Sequence, residues 1–456
     1  MAEEMRERAL TLFLVVAVLL GVAFDLVTDE VRRPERLPVE GARLFEQASL
    51  CPAPIDVDKG AAQVSVAAAT EDPTSFSIEG VTERLLELPG LGARVFPTQV
   101  FGAAVGYRRP LVASSTYQVS DPVSGSGAAR CSRVASTRWY FPEGSSALGF
   151  DERLLLYNPF PDEAVAAVTF LTPTGDITRA RLAQGIAVPA GEVRVVKINE
   201  FVPPQNTLGT VVEMNRGRVV AWRASLIDPD KQPAGMQFTL GARATAPIWY
   251  LPAGSVESGI DERITLMNPH RDEAVVSISL VTAEGTVQPP KLVEVRVAPE
   301  TTNRVVLSEV VGRGQQDMGG AGAIVRSMND VGVIAERTLW YDLPAVSGVS
   351  SEIGAAVARD RWIVGPALLK ATTDTLLILN PGPESTRVDV ALLTEGRVAR
   401  PGSLRNVMVK AGTRRRIELR DGTGVVLVTA DQPVVAERSA TSGRDASAVL
   451  GTPAGE

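Results

Sequence analysis

The sequence predicts an all-β fold: tandem immunoglobulin-like β-sandwich repeats preceded by one N-terminal transmembrane helix. Three observations carry this. An uncharged run, Ala9–Phe24 (ALTLFLVVAVLLGVAF), lies near the start of the chain. Beyond it, apolar residues alternate with a period near two rather than about 3.6. A block of about 110 residues then recurs three times in one order of motifs.

Composition bounds the reading. The chain has 456 residues, 45% hydrophobic and 22% charged, which fits a folded protein of about three or four domains. A net charge of -7 leaves no global basic field, so no nucleic-acid partner is expected. One histidine (His270) and two cysteines (Cys51, Cys131) are too few soft ligands for an ordinary zinc, haem or iron–sulfur site, and no cofactor or metal is expected. Forty glycines and 31 prolines fit short strands joined by turns.

Residues 1–8 read as a short cytoplasmic start. With Leu26 and Val27 beyond a lone Asp25, the apolar run 9–27 makes about 28 Å of helix, enough for a hydrocarbon core of about 30 Å. The other reading is a cleaved signal peptide, for which Gly21-Val22-Ala23 is a weak site. Either way, the chain beyond the run is exported. Arg6 and Arg8 before the run are balanced by Arg32, Arg33 and Arg36 after it, so the positive-inside rule does not set orientation. Residues 28–50, with mixed charges and Pro34 and Pro38, read as a juxtamembrane spacer. Ala48-Ser49-Leu50 is a poor lipobox, so Cys51 is not a lipid-attachment cysteine. Two cysteines in so long a chain suit one disulfide in an oxidising compartment, closing a loop of about 80 residues for roughly 4–5 kcal/mol; two unpaired buried thiols are the alternative.

Repeats occupy most of the remaining chain. Trp139-Tyr140-Phe141-Pro142-Glu143-Gly144 returns 110 positions later as Trp249-Tyr250-Leu251-Pro252-Ala253-Gly254. Asp151–Pro159 returns at the same offset as Asp261–Pro269, and a looser third copy has Trp362 and Asp374–Pro381. Val195–Ile198 matches Arg304–Leu307 and Arg416–Leu419; Val219–Arg223 matches Val333–Arg337 and Val434–Arg438. The expected boundaries are 131–241 (repeat 1), 242–356 (repeat 2) and 357–456 (repeat 3). Residues 51–130 read as a degenerate N-terminal β unit lacking the Asn-Pro half: Pro110–Ala113 resembles Pro433–Ala436, and Gly127-Ala128-Ala129-Arg130 resembles Gly241-Ala242-Arg243.

Within a repeat, Ala166–Thr172 and Val276–Thr282 alternate and are rich in β-branched residues, and turn residues fall every 8–12 positions or so. That spacing gives about seven strands per repeat, the size of an immunoglobulin-like sandwich. Past residue 30 only Thr82–Leu88 reads as a short helix.

Recurrent residues have structural readings. Asn158, Asn268 and Asn380 each precede a proline after a strand, where an asparagine side chain satisfies turn backbone. Trp139, Trp249 and Trp362 open each unit and are expected to cover a core. If exposed, they and Tyr140 and Tyr250 are candidate ligand-facing aromatics for glycan stacking. Arg223, Arg337 and Arg438 are expected to pair with Asp151, Asp261 or Asp374.

The Cys51-Pro52 start, Cys131 shortly before Trp139, and the Trp…Leu-x-Leu-x-Asn-Pro…Val-x-Ala-Gly units resemble an uncharacterised family of exported, membrane-anchored actinobacterial proteins, a domain of unknown function. The resemblance spans about residues 51–451. It implies an envelope location and a Cys51–Cys131 disulfide, and no catalytic or binding residues. Forty arginines against six lysines agree with a GC-rich genome.

Catalytic patterns are absent from the sequence. There is no Gly-x-Ser-x-Gly, no Gly-x-x-x-x-Gly-Lys-Ser/Thr, no His-Glu-x-x-His and no full calcium loop around Asp56–Gly60. His270 lies in a turn, with Phe160 and Gly382 in its place elsewhere. Asp151-Glu152 and Asp261-Glu262 are adjacent on strands, so each pair points to opposite faces. There is no sortase signal, and the lysines are unmatched between units, which disfavours isopeptide cross-links. The reading is a non-enzymatic, single-pass membrane protein of the cell envelope, its bulk extracytoplasmic, acting as a scaffold or interaction protein in a rod or compact cluster. The alternative is an envelope-glycan binder using Trp139, Tyr140, Trp249, Tyr250 and Trp362. The partners are the membrane and an envelope protein or glycan.

Overall fold

The run Val276-Ser277-Ile278-Ser279-Leu280 buries every second side chain, so one face of its strand closes a core. This pattern recurs along the computed structural model, which describes residues 47–454 apart from 53–58, 80, 83, 99–102, 122, 176–184, 229, 231–232, 256, 312–319, 421–423 and 444. The apolar run 9–27 lies outside these residues. Among the described residues no helix is long and apolar enough to cross a membrane.

The N-terminal unit holds β1 (Gln47–Cys51), β2 (Lys59–Ala68), β3 (Thr74–Ile78), β4 (Leu86–Leu88), β5 (Ala93–Thr98), β6 (Ala103–Tyr107), β7 (Leu111–Asp121) and β8 (Gly125–Arg130). Repeat 1 holds β9 (Arg138–Phe141), β10 (Phe150–Tyr157), β11 (Ala164–Leu171), β12 (Ile186–Val188), β13 (Val193–Lys197), β14 (Gly209–Arg216), β15 (Val220–Ile227) and β16 (Gly235–Leu240). Repeat 2 holds β17 (Ile248–Leu251), β18 (Ile260–Asn268), β19 (Ala274–Val281), β20 (Thr286–Val287), β21 (Val295–Val297), β22 (Thr301–Val306), β23 (Gly322–Ser327), β24 (Ile334–Leu343) and β25 (Val346–Ile353). Repeat 3 holds β26 (Arg359–Val364), β27 (Thr373–Asn380), β28 (Thr386–Thr394), β29 (Arg397–Ala399), β30 (Val407–Val409), β31 (Thr413–Glu418), β32 (Val425–Ser442), β33 (Asp445–Leu450) and β34 (Thr452–Pro453).

Each unit is a two-sheet antiparallel sandwich. Repeat 1 pairs β13-β10-β15-β16 and β12-β11-β14-β9; the N-terminal unit pairs β5-β2-β7-β8 and β1-β6-β3-β4, the same arrangement strand for strand. The N-terminal segment is therefore not a unit lacking the Asn-Pro half. β2 fills the place of β10, and only the Asn-Pro turn after it is missing. The segment read as a short helix, Thr82–Leu88, contributes strand β4 instead. The likeness of Gly127–Arg130 to Gly241–Arg243 is also out of register. Ser132 and Ala242 make the equivalent bridges to Leu50 and Tyr140, which sets Cys131, not Gly127, at the place of Gly241.

The strand order departs from an immunoglobulin domain, where the sixth and seventh strands pair in one sheet. Here β14 and β15 lie in opposite sheets, so the first strand, β9, pairs with β14. Repeat 3 shows why: β32 is continuous, its first half pairing with β26 and β28 and its second with β27 and β33. The chain crosses between the sheets at that point instead of turning back as a hairpin.

The four sandwiches close into a ring. Last strands pack in cyclic order, β8 on β16, β16 on β25, β25 on β33 and β33 on β8. The outer face of one sheet of each unit covers the next unit. Tyr140, Leu171 and Val211 join the repeat 2 core, and Ile363, Leu393 and Leu427 of repeat 3 pack on Ala67, Ala93 and Val112 of the N-terminal unit. Such head-to-tail contacts give a ring when the rotation closes, and this one closes within a single chain.

Candidate binding cleft on the ring axis

Where the chain passes from one sandwich to the next it lies against the strand that opened the unit, and small residues permit the approach. A Cβ on Gly241 would stand 2.7 Å from Phe141 Cζ and 3.1 Å from Trp139 Cε3; one on Gly451 would stand 3.0 Å from Trp362 Cε3. In the N-terminal unit Cys131 holds this position and is disulfide-bonded to Cys51 on β1. A covalent bond there replaces the packing of glycine on an aromatic strand.

The indoles beneath are structural. Trp139 Nε1 donates to Val219 O (2.9 Å), Trp249 Nε1 to Val333 O (2.7 Å) and Trp362 Nε1 to Val434 O (2.8 Å). Their exposures are 0%, 4% and 1%, and Tyr140 is buried at 6%. Tyr250 is half-buried and packs on the repeat 3 core. A sugar ring needs an open aromatic face and the three indoles expose almost none, although Trp139, Trp249 and Trp362 all line the cleft on the ring axis. Tandem sandwiches that cover one another's sheets consume the aromatics that a lone sandwich would leave at its end. The partly exposed indole is Trp340, beside Phe150 and Arg263, in a smaller concavity of about 440 Å³ between repeats 1 and 2.

Asn158, Asn268 and Asn380 are fully buried turn residues. Each Nδ2 donates to carbonyls across the turn, such as Asp162 O, Asp272 O and Glu384 O at 2.8 Å, and each Oδ1 accepts the amide two residues on. His270 is exposed, its Nε2 3.2 Å from Thr245 Oγ1. Asp151 and Asp261 are half-exposed while Glu152 and Glu262 are buried, as alternation requires.

The recurrent arginines differ from expectation. Arg438 pairs with Asp374 as anticipated. Arg223 and Arg337, however, chiefly use a glutamate of the following repeat; Arg223 also meets Glu152, its Nε 3.3 Å from Oε1, and the charge of Glu262 helps to raise the pKa of Arg337. Arg223 Nη2 stands 2.7 Å from Glu336 Oε1, and Arg337 Nη2 2.6 Å from Glu437 Oε1. The backbone completes each glutamate: Glu143 N donates to Glu336 Oε2 (3.0 Å) and Ala253 N to Glu437 Oε2 (2.9 Å). Burial opposes the charge on Arg223, but Glu336 and Glu152 outweigh it and hold its pKa above the usual range. Burial pushes Glu152 up to about 7 and Glu262 up to about 8, partly offset by Arg223 and Arg337 respectively.

On the ring axis the inter-unit segments and the C-terminal strand line a cleft of about 700 Å³. Its walls carry Arg130, Arg133 and Arg243, and no carboxylate among the described lining residues. Glu352 lies behind Arg130, its Oε1 3.7 Å from Arg130 Nη2, while Leu450 N donates to its Oε2 at 2.9 Å. Burial raises Glu352 to about 7, with Arg130 opposing. Sequence reading aligns Arg130 with Arg243 and so misses the grouping; the bridges of Ser132 and Ala242 make Arg133 the counterpart of Arg243, with Ala356 at that place in repeat 2. The one signal was their place, at or just after the last strand of a unit.

A family model described as "Family of unknown function (DUF5719)" matches residues 92–336 and again 249–452. The chain belongs to this family. The two overlapping matches fall on different parts of the repeat array, and the DUF5719 model reaches into the N-terminal unit only from residue 92. A search of curated proteins finds no match. Among solved structures, Thermotoga maritima 1070 is 18% identical over 24% of this chain and 94% of that one, with a TM-score of 0.21. The E. coli chaperone DraB is 12% identical over 44% and 98%, TM-score 0.13, and Saccharomyces cerevisiae allantoicase 9% over 75% and 77%, TM-score 0.15. At such TM-scores none of these similarities carries an argument for this DUF5719 member.

Proposed function

We propose that this chain is a non-enzymatic, membrane-anchored interaction protein of the cell envelope, with residues 9–27 in the membrane and the four-sandwich body outside. One observation carries the reading: a closed ring, fastened by buried inter-repeat ion pairs, presents an axial cleft walled by segments from all four units. The recurrent polar residues are committed to that architecture, Asn158 and its counterparts to turns, Arg223 and Arg337 to interfaces, and Arg438 to its own repeat. The Cys51–Cys131 disulfide suits an oxidising compartment. The apolar run 9–27 supplies the anchor.

The test is location. The full chain, expressed in a bacterial host that exports it, is fractionated and treated with protease before and after the envelope is opened. Recovery with membranes and digestion from the outer side support the reading; recovery in the cytosol overturns it.

A further inference from the structure

We infer that the axial cleft, whose wall carries Arg130, Arg133 and Arg243, binds a phosphate group, free or as a small monoester. The chain carries a net charge of -7, yet this cleft is lined by three arginines and by no carboxylate among its described residues. With Glu352 half ionised near pH 7, the three arginines carry a net excess of two to three positive charges, and a phosphomonoester carries about −1.5 to −2. A single carboxylate would leave at least one guanidinium uncompensated.

Hydrogen bonding points the same way. The Nε donors of Arg130 and Arg133 are shielded from solvent and have no acceptor among the described residues. Arg133 is held by one long bond, Nη2 to Pro453 O at 3.4 Å, and Arg130 by the pair with Glu352 at 3.7 Å. Arg130 and Arg133 are only partly buried, and a donor without an acceptor is one that a bound ion can satisfy. Guanidinium groups suit tetrahedral oxyanions because their donors can engage several oxygens at once.

The three arginines come from the exits of two different units: Arg130 ends β8, Arg133 lies just beyond it, and Arg243 comes after β16. Their spacing therefore depends on ring closure. This deepens the interaction role proposed above and uses the same cleft. Phosphate binding is read by titration and envelope location by fractionation, so failure of either is distinguishable.

The test is calorimetric titration of the purified full chain, in detergent and about 150 mM chloride to screen weak surface charge, with inorganic phosphate, glycerol 3-phosphate and acetate. Saturable binding of one of the phosphate probes, weakened about 10- to 100-fold in Arg243→Gln or Arg133→Gln, supports the inference. Tighter binding of the ester than of the ion assigns the ligand to a phosphomonoester, the reverse to the free ion. Arg243 is exposed, so its variant should melt as the parent does and keeps the test decisive if Arg133→Gln misfolds. Absence of saturable phosphate binding, affinity equal to the parent's in both variants, or acetate binding as tight as phosphate overturns it.

Discussion

Arg223 of repeat 1 and Glu336 of repeat 2 form an ion pair with no solvent exposure on either side chain, Nη2 to Oε1 at 2.7 Å, 113 residues apart in sequence. Arg337 and Glu437 repeat it one interface further on. The rule is that a unit's arginine meets the next unit's glutamate, and the exceptions are instructive. The N-terminal unit has Ser115 at the arginine position, and repeat 1 correspondingly has Trp222 rather than glutamate, so neither partner is left charged and alone. At the closing interface Ser114 stands where a glutamate would, and Arg438 turns to Asp374 and Gly424 O within its own repeat. Each exception avoids an unpaired buried charge, the costly arrangement.

Glu336→Gln is expected to destabilise the chain by about 3–5 kcal/mol, because it takes the doubly bonded carboxylate from Arg223 in a dry interface and leaves it the longer contact with Glu152. Replacing both by methionine, Arg223→Met with Glu336→Met, should recover much of that loss. Urea unfolding of the single and double variants checks it; strictly additive losses would deny the coupling.

Stability should fall as pH rises from about 4.5 to 8. Glu152, Glu262 and Glu352 have folded pKa values raised to about 7, 8 and 7 by burial. Between the ordinary carboxyl value and these, the folded chain holds more protons than the unfolded one, so the stabilising contribution is present at low pH and lost on passing through the folded pKa. Glu262→Gln should flatten the upper part of this slope in guanidinium midpoints measured across the range.

Trp249→Ala should cost about 3–5 kcal/mol, the effect of emptying a core position, with no compensating gain in sugar binding. Its melting temperature relative to the parent reports this directly. A variant as stable as the parent would contradict the observed burial.

Cys51 and Cys131 are both buried at the first interface of the chain. The double alanine variant should lose about 2–5 kcal/mol. Without denaturant and reductant, a thiol reagent should find nothing to label; free thiols detected on the native protein would refute the bond.

Gly125→Val tests ring closure. A Cβ at this position would stand 2.5 Å from Met236 N, a backbone atom of the neighbouring unit that cannot rotate away. Overpacking of about 1–3 kcal/mol and a larger scattering radius in solution are expected.

Much was legible in the chain itself. Two-residue alternation in runs such as Val276–Leu280, punctuated by Asn-Pro and glycine turns, fixes strands and sandwiches because those are local and nearest-neighbour effects. The offset between Trp139 and Trp249 fixes the repeat. What the chain could not reveal alone lies between units. The ring, the partnering of Arg223 with Glu336, the burial of Trp139, Trp249 and Trp362, and the gathering of Arg130, Arg133 and Arg243 around one cleft all depend on how the sandwiches rotate relative to one another. Sequence period reports which face of a strand is apolar, but not whether that face meets its own unit's core or the next unit's sheet. Only closure of four head-to-tail interfaces decides that.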